Sequence, residues 1–148
     1  METLGELNKY LTRYSVENRW QITMPSNRLE GIDNVVVIPA LDESRFLFHT
    51  LHSLSQNDLI ELARTLVICV VNNQSLERVP PDIYEDNQLT LAALRFVNGL
   101  DVVTGRRKIN FSDIPLLNNL KNTSLRLAYV DASSSGLELP EKTGGVGL

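Results

Sequence analysis

A single cysteine, Cys69, stands among 148 residues, so no disulfide can close within the chain, and the composition fits a reducing compartment. Long hydrophobic runs are missing too. No stretch approaches the roughly 20 apolar residues that cross a bilayer, and apolar runs such as 66–71 have the length of a strand. The polar, amphipathic opening from Met1 to Ser15 lacks the apolar core and cleavage site of a secretory signal. Basic residues are not in excess: 14 Lys and Arg face 18 Asp and Glu, a net charge of −4. The one basic cluster, Arg106-Arg107-Lys108, reads as a solvated turn. That balance argues against nucleic acid or an anionic membrane as the main partner. Together these absences predict a cytoplasmic globular protein without a transmembrane segment.

What is present is ordinary in bulk, with 43% hydrophobic and 22% charged residues. A chain of this length forms one domain and buries about 70% of its unfolded surface. Its organisation reads as a single α/β domain over 1–148, with an N-terminal helix and linker over 1–33 and a polar, Gly-rich, flexible tail over 133–148.

Leu4, Leu7, Leu11 and Tyr14 recur at helical spacing, which predicts a helix over 3–14 packed on the domain from outside. Val35-Val36-Val37-Ile38 reads as a strand buried on both faces and ended by Pro39, which cannot donate to a central ladder. Asp42-Glu43-Ser44 then opens a helical pattern through Phe46, Leu47, Leu51 and Leu54, and a short helix is expected from Asp58 to Ala63. A second continuous apolar run, 65–71, stops at the polar cluster Asn72-Asn73-Gln74-Ser75. Pro80 and Pro81 mark a long loop, followed by a helix from about Asn87 to Asn98 with Gly99 beyond its end. Residues 101–112 fit either a short hairpin or a loop, and Asp113 is placed to cap a short helix carrying Ile114, Leu116, Leu117 and Leu120. A third strand, 124–130, ends at Asp131. Strand–helix–strand alternation with continuous apolar strands predicts a Rossmann-like, three-layer sandwich on a mainly parallel sheet.

In such sheets ligands bind beyond the carboxyl ends of the strands. Asp42 and Glu43, Asn72 and Asn73, and Asp131 follow the three strand ends. Amides and carboxylates at one sheet edge suit a nucleotide, since they accept hydrogen bonds from base N–H groups and ribose hydroxyls; each of them serves equally well as a helix or turn cap. Lys142-Thr143-Gly144-Gly145-Val146-Gly147 supplies a charge and a backbone free to approach phosphate, without the spacing of a phosphate-binding loop. His49 and His52 are three residues apart on a helix, with no acidic or thiol ligand at matching spacing, and read as surface residues. Cys69 reads as a small buried hydrophobe, and Trp20 as the anchor of the N-terminal segment.

The stretch Val35-Val36-Val37-Ile38-Pro39-Ala40-Leu41-Asp42-Glu43 resembles the opening of the inverting family 2 glycosyltransferases, which have the GT-A nucleotide-sugar-binding fold. The helix pattern Thr50-Leu51-His52-Ser53-Leu54, the strand end Val71-Asn72-Asn73-Gln74-Ser75 and the segment 142–147 extend the resemblance. It covers 34–75 and, more loosely, 124–148. It implies that Pro39, Ala40, Asp42 and Glu43 lie against the nucleoside and that Asn72, with Asn73, approaches base or ribose. Asp131, Lys142 and Gly145 would border the same pocket. The implied ligand is a UDP- or GDP-linked sugar, and the implied cofactor of an intact enzyme is a divalent cation, Mg or Mn. Asp42 stands where the family has Asn, and Asn72-Asn73 where it has an acidic pair. No Asp-x-Asp, the family's metal motif, occurs in the sequence. The resemblance therefore implies the nucleotide-binding N-terminal portion of a longer transferase, inactive alone, with an exposed sheet edge prone to self-association. A complete, non-catalytic α/β nucleotide-binding or regulatory module is the alternative. A sugar nucleotidyltransferase fits less well, because it would carry its Gly-rich loop where Ala40-Leu41-Asp42 stands.

Overall fold

A computed structural model of the chain describes residues 2–14, 19–25, 29–102 and 109–140. The apolar runs become three parallel strands, β2 (Asn34–Ala40), β3 (Thr65–Asn72) and β4 (Arg126–Ala132). A two-residue β1 (Ile22–Thr23) pairs antiparallel with β4, giving an open, mixed four-stranded sheet in the order β1-β4-β3-β2. The helices are α1 (Glu2–Tyr14), α2 (Leu47–Ser55), α3 (Leu59–Arg64), α4 (Pro81–Val97) and α5 (Pro115–Lys121).

Successive strand residues face opposite sides of a sheet. Val67, Cys69, Val71, Leu127 and Tyr129 thus share one face, where they join Leu47, Phe48 and Leu51 of α2, Leu62 of α3, Leu91 and Leu94 of α4, and Leu117 and Leu120 of α5 in the main core. Leu66, Ile68 and Ala128 point to the other face and meet Met24 and Ile32. All of α2–α5 therefore cover one face, so the sandwich expected from the sequence has a single helical layer there. The cause is topological. The strands advance in one direction, β2 to β3 to β4, and two right-handed crossovers stepping the same way place both connections on the same side.

Other expectations change as well. β2 is not buried on both faces: it forms the sheet edge, with Val35 55% and Val37 58% exposed. A continuous Val run satisfies the strand period whether or not a neighbour exists on each side, so the pattern alone does not separate edge from centre. Pro39 does not end the strand, which continues to Ala40, because an edge strand tolerates a missing N–H. α1 forms, but Leu4, Leu7 and Leu11 are exposed. The chain bends at 41–42 and turns at 44–46, and α2 begins only at Leu47. Pro81 lies in the first turn of α4 instead of in a loop, since a proline there forfeits only an N–H that has no helical partner. That helix starts six residues before Asn87 and ends at Val97, and Gly99 just beyond its cap has a φ of +69° that a β-carbon would strain. Asp113 belongs to a 3-10 turn (Phe111–Asp113), and Ile114 occupies the cap position of α5. Asp58 does cap α3, its carboxylate accepting the Ile60 N–H at 2.8 Å.

The segment 133–140 is tied back to the domain. The Trp20 indole donates to the Leu137 carbonyl at 2.6 Å, the Arg19 guanidinium to the Gly136 and Glu138 carbonyls, and the Leu139 N–H to the Asn73 carbonyl. The remainder of the expected tail, with Lys142 and Gly145, and the cluster Arg106-Arg107-Lys108 lie outside the described residues.

Cys69 sits fully buried in mid-β3, and loss of solvent pushes its thiol from 9.0 up to about 12. Two outcomes are expected. A thiol reagent at pH 8 leaves the native protein unmodified and titrates one equivalent once urea unfolds it. Above pH 9 the unfolded thiol loses its proton while the folded one keeps it, so stability falls as pH rises from 9 toward 12, by about 1.4 kcal/mol per unit. Urea denaturation of the protein and of Cys69→Ala at pH 8 and pH 10 checks this, the variant lacking that component of the slope.

Candidate functional site

Parallel registration brings three strand ends level: Ala40 pairs with Val71, and Val71 with Asp131. Beyond that edge lies a cleft of about 400 Å³ lined by Pro39, Ala40, Leu41, Asp42, Glu43, Asn72 and Ile83. Five of the residues singled out in the sequence, Pro39, Ala40, Asp42, Glu43 and Asn72, therefore share one cavity. Asn73 and Asp131 do not line it. Asn73 is fully buried; its Oδ1 accepts from Asn87 Nδ2 at 3.0 Å and from the Ser133 hydroxyl, and its Nδ2 donates to the Gln74 carbonyl at 2.8 Å. Asp131 Oδ1 accepts the N–H groups of Ser133 and Ser134 at 3.0 and 2.9 Å, which caps the turn after β4. Both are structural in this arrangement.

Asn72 is different. It is only 5% exposed, its Nδ2 reaches the Val70 carbonyl at a long 3.4 Å, and its Oδ1 has no hydrogen-bond partner in the protein. A buried acceptor left unpaired costs about 1–3 kcal/mol. Among the described residues the other buried side-chain atoms in this condition, on Ser75, Thr90 and Asn98, belong to residues that do not line the cleft. Asn72, a residue of the cleft lining, thus holds an unused side-chain acceptor buried beside the cavity.

The opposite wall is a strained turn. Asp42 has φ +57°, the one non-glycine positive value among the described residues, a conformation that persists only when its surroundings enforce it. The enforcement comes from α4. Asn87 Oδ1 accepts the Asp42 N–H at 3.1 Å; Asp86 Oδ2 accepts the Ser44 N–H at 3.0 Å, and Asp86 Oδ1 accepts the Ser44 hydroxyl. The sequence gives little warning of Asp86 and Asn87. Asn87 reads as the start of a helix because asparagine favours caps, and only with α4 beginning at Pro81 does it become an interior residue whose buried amide needs partners.

Two carboxylates, Asp42 and Glu43, and an amide meet apolar walls from Pro39, Ala40, Leu41 and Ile83, with no Lys, Arg or His among the described residues that line the cleft. Such a cleft favours a neutral, flat or hydroxylated group that donates hydrogen bonds, and disfavours a bare phosphate. His49 and His52 lie on α2, outside the lining.

Stability should separate the two strand-end asparagines. Asn72→Leu removes an unpaired acceptor and is expected to change unfolding free energy by less than about 1 kcal/mol. Asn73→Leu takes the acceptor from one N–H of Asn87 Nδ2 and from the Ser133 hydroxyl and is expected to cost about 2–4 kcal/mol. Urea denaturation of both variants measures the difference. Compared with family models, with curated proteins and with solved structures, the chain matches none.

Proposed function

We propose that this chain binds the nucleoside end of a nucleoside-diphosphate sugar in the cleft beyond β2 and β3, as the nucleotide-binding portion of a family 2-like glycosyltransferase. The observation that carries the reading is the buried, unpartnered Oδ1 of Asn72, a residue that lines the cleft together with Pro39-Ala40-Leu41-Asp42-Glu43. A side-chain amide pairs with the imide edge of uracil or the N1–O6 edge of guanine, accepting one N–H and donating to the adjacent carbonyl. The apolar wall suits the faces of a base, and the Asp42 and Glu43 carboxylates suit ribose hydroxyls.

In the intact transferase an acceptor hydroxyl, deprotonated by a carboxylate, displaces the nucleoside diphosphate from the sugar carbon. The residues here do not fit a cation site for that diphosphate: among the described residues no three His, Cys, Asp or Glu side chains gather to hold a metal. In this reading the chain supplies nucleoside recognition and the diphosphate lies beyond it. The free, Val-rich edge of β2 belongs to the same reading, as the place where a second copy of the chain adds its own edge. Val37→Lys is expected to shift sedimentation toward monomer without changing the far-ultraviolet circular dichroism.

A second reading, a non-catalytic nucleotide-binding module, is favoured by the tie-back of 133–140 through Trp20 and Asn73. Titration followed by ¹H–¹⁵N NMR tests both. The first reading expects UMP, UDP and a UDP-sugar, or their guanosine counterparts, to bind within about threefold of one another and to shift the Asn72 side-chain amide. It also expects millimolar affinity or tighter, about −4 kcal/mol. A module complete for its ligand would separate the three by tenfold or more. No shift at Asn72 with any nucleotide at about 5 mM would sink both.

A further inference from the structure

Asn87 is an unusual residue to find inside α4. Asparagine is a poor helix former away from the caps, and this side chain is 1% exposed, so its amide must find every partner within the protein. It finds three, none on its own helix. Oδ1 accepts the Asp42 N–H at 3.1 Å; Nδ2 donates to the Asn72 carbonyl at 3.0 Å and to Asn73 Oδ1 at 3.0 Å.

Those partners belong to the exits of two strands. Asp42 follows β2 and Asn72 ends β3, and both residues line the cleft. Asn73 passes the connection on to the exit of β4 through the Ser133 hydroxyl. One planar amide on a helix therefore fixes the spacing between the two walls of the cavity. It also fixes both conformations that make the cavity unusual: the positive φ of Asp42, and the placing of Asn72 with its Oδ1 unpaired.

We infer that Asn87 is the positioning residue of this site: through its three hydrogen bonds it holds the Asp42 turn and the Asn72 backbone in the binding geometry, without lining the cleft itself. This rests on the nucleoside-binding reading for its functional consequence, but its structural content stands apart from that reading. The amide has a polarity that can be tested. Asn87→Asp keeps an acceptor for the Asp42 N–H and loses both donors, whereas Asn87→Ala loses all three bonds. Leu94→Ala, a fully buried core truncation on the same helix, destabilises α4 without touching either wall.

The experiment is amide hydrogen exchange and nucleotide titration by ¹H–¹⁵N NMR on the full chain and these variants, with exchange measured at a temperature where each is folded. In the wild-type protein the Asp42 amide is expected to be protected although its side chain is exposed. Asn87→Ala should speed its exchange at least tenfold. Asn87→Asp should leave it within threefold while shifting the Asn72 and Asn73 backbone resonances, and Leu94→Ala should leave both unchanged. If the wild-type chain binds UMP or GMP, Asn87→Ala should weaken binding tenfold or more and Leu94→Ala less than twofold. Asp42 exchange that is unaffected by Asn87→Ala, or that responds equally to Leu94→Ala, overturns the proposal. Retention of full nucleotide affinity by Asn87→Ala overturns it too. Should Asn87→Ala fail to fold, Asn87→Asp decides: loss of Asp42 protection there overturns the assignment of the acceptor. Absence of binding by every variant, with exchange behaving as expected, overturns the nucleotide reading and supports the positioning role.

Discussion

Parallel pairing is the constraint from which the rest of this molecule follows. β2, β3 and β4 run the same way, so each must be joined to the next by a chain segment that returns across the sheet. With the strands stepping steadily from β2 to β4, the returning segments, α2–α3 and α4–α5, fall on one face and create the main core. They also deliver all three strands' carboxyl ends to one edge, where the backbone must turn and polar groups accumulate. The cleft is a result of that arrangement.

At the crowded edge, the energetic problem is to satisfy buried polar atoms. Asn73, Asn87, Ser133 and Asp131 do so mutually, and they use backbone groups from three turns as partners. A network of that kind is stiff, because no member can move without stranding another in a low-dielectric interior. Asn72 is the exception within it. Its backbone carbonyl is satisfied by Asn87 while its side-chain oxygen is not. One residue thus belongs to the rigid network through its main chain and to the cavity through its side chain.

β2, β3 and β4 were legible in the sequence to within two residues at each end, as continuous apolar runs such as 65–71, whereas the two-residue β1 was not. Their environment was less legible. Val35 and Val37 share a sheet face with their register partners Leu66 and Ile68, yet the former are solvent-facing and the latter buried; the distinction depends on strand order, which no local pattern contains. Pro80-Pro81 misleads in the same way, since proline punctuates loops and opens helices with equal facility. Asp42, Glu43 and Asn72 were visible because they lie at strand ends, a position with general meaning in α/β sheets, while Pro39 and Ala40 entered only through the resemblance to a known family. Asn87 was not, because its importance arises from partners 14, 15 and 45 residues away.

β1 bears on how the sheet is assembled. It is the earliest strand in the sequence, yet it pairs only with β4, the latest, and β4 lies between β1 and β3. On a ribosome, β2 and β3 can join as soon as both have emerged, while Ile22 and Thr23 must wait for more than a hundred further residues. Until then the side of β3 that will receive β4 is an open template. The growing chain therefore carries two unpaired edges at once, one transient on β3 and one persistent on β2, and the window before β4 arrives is when mispairing with a neighbouring nascent chain is most favoured.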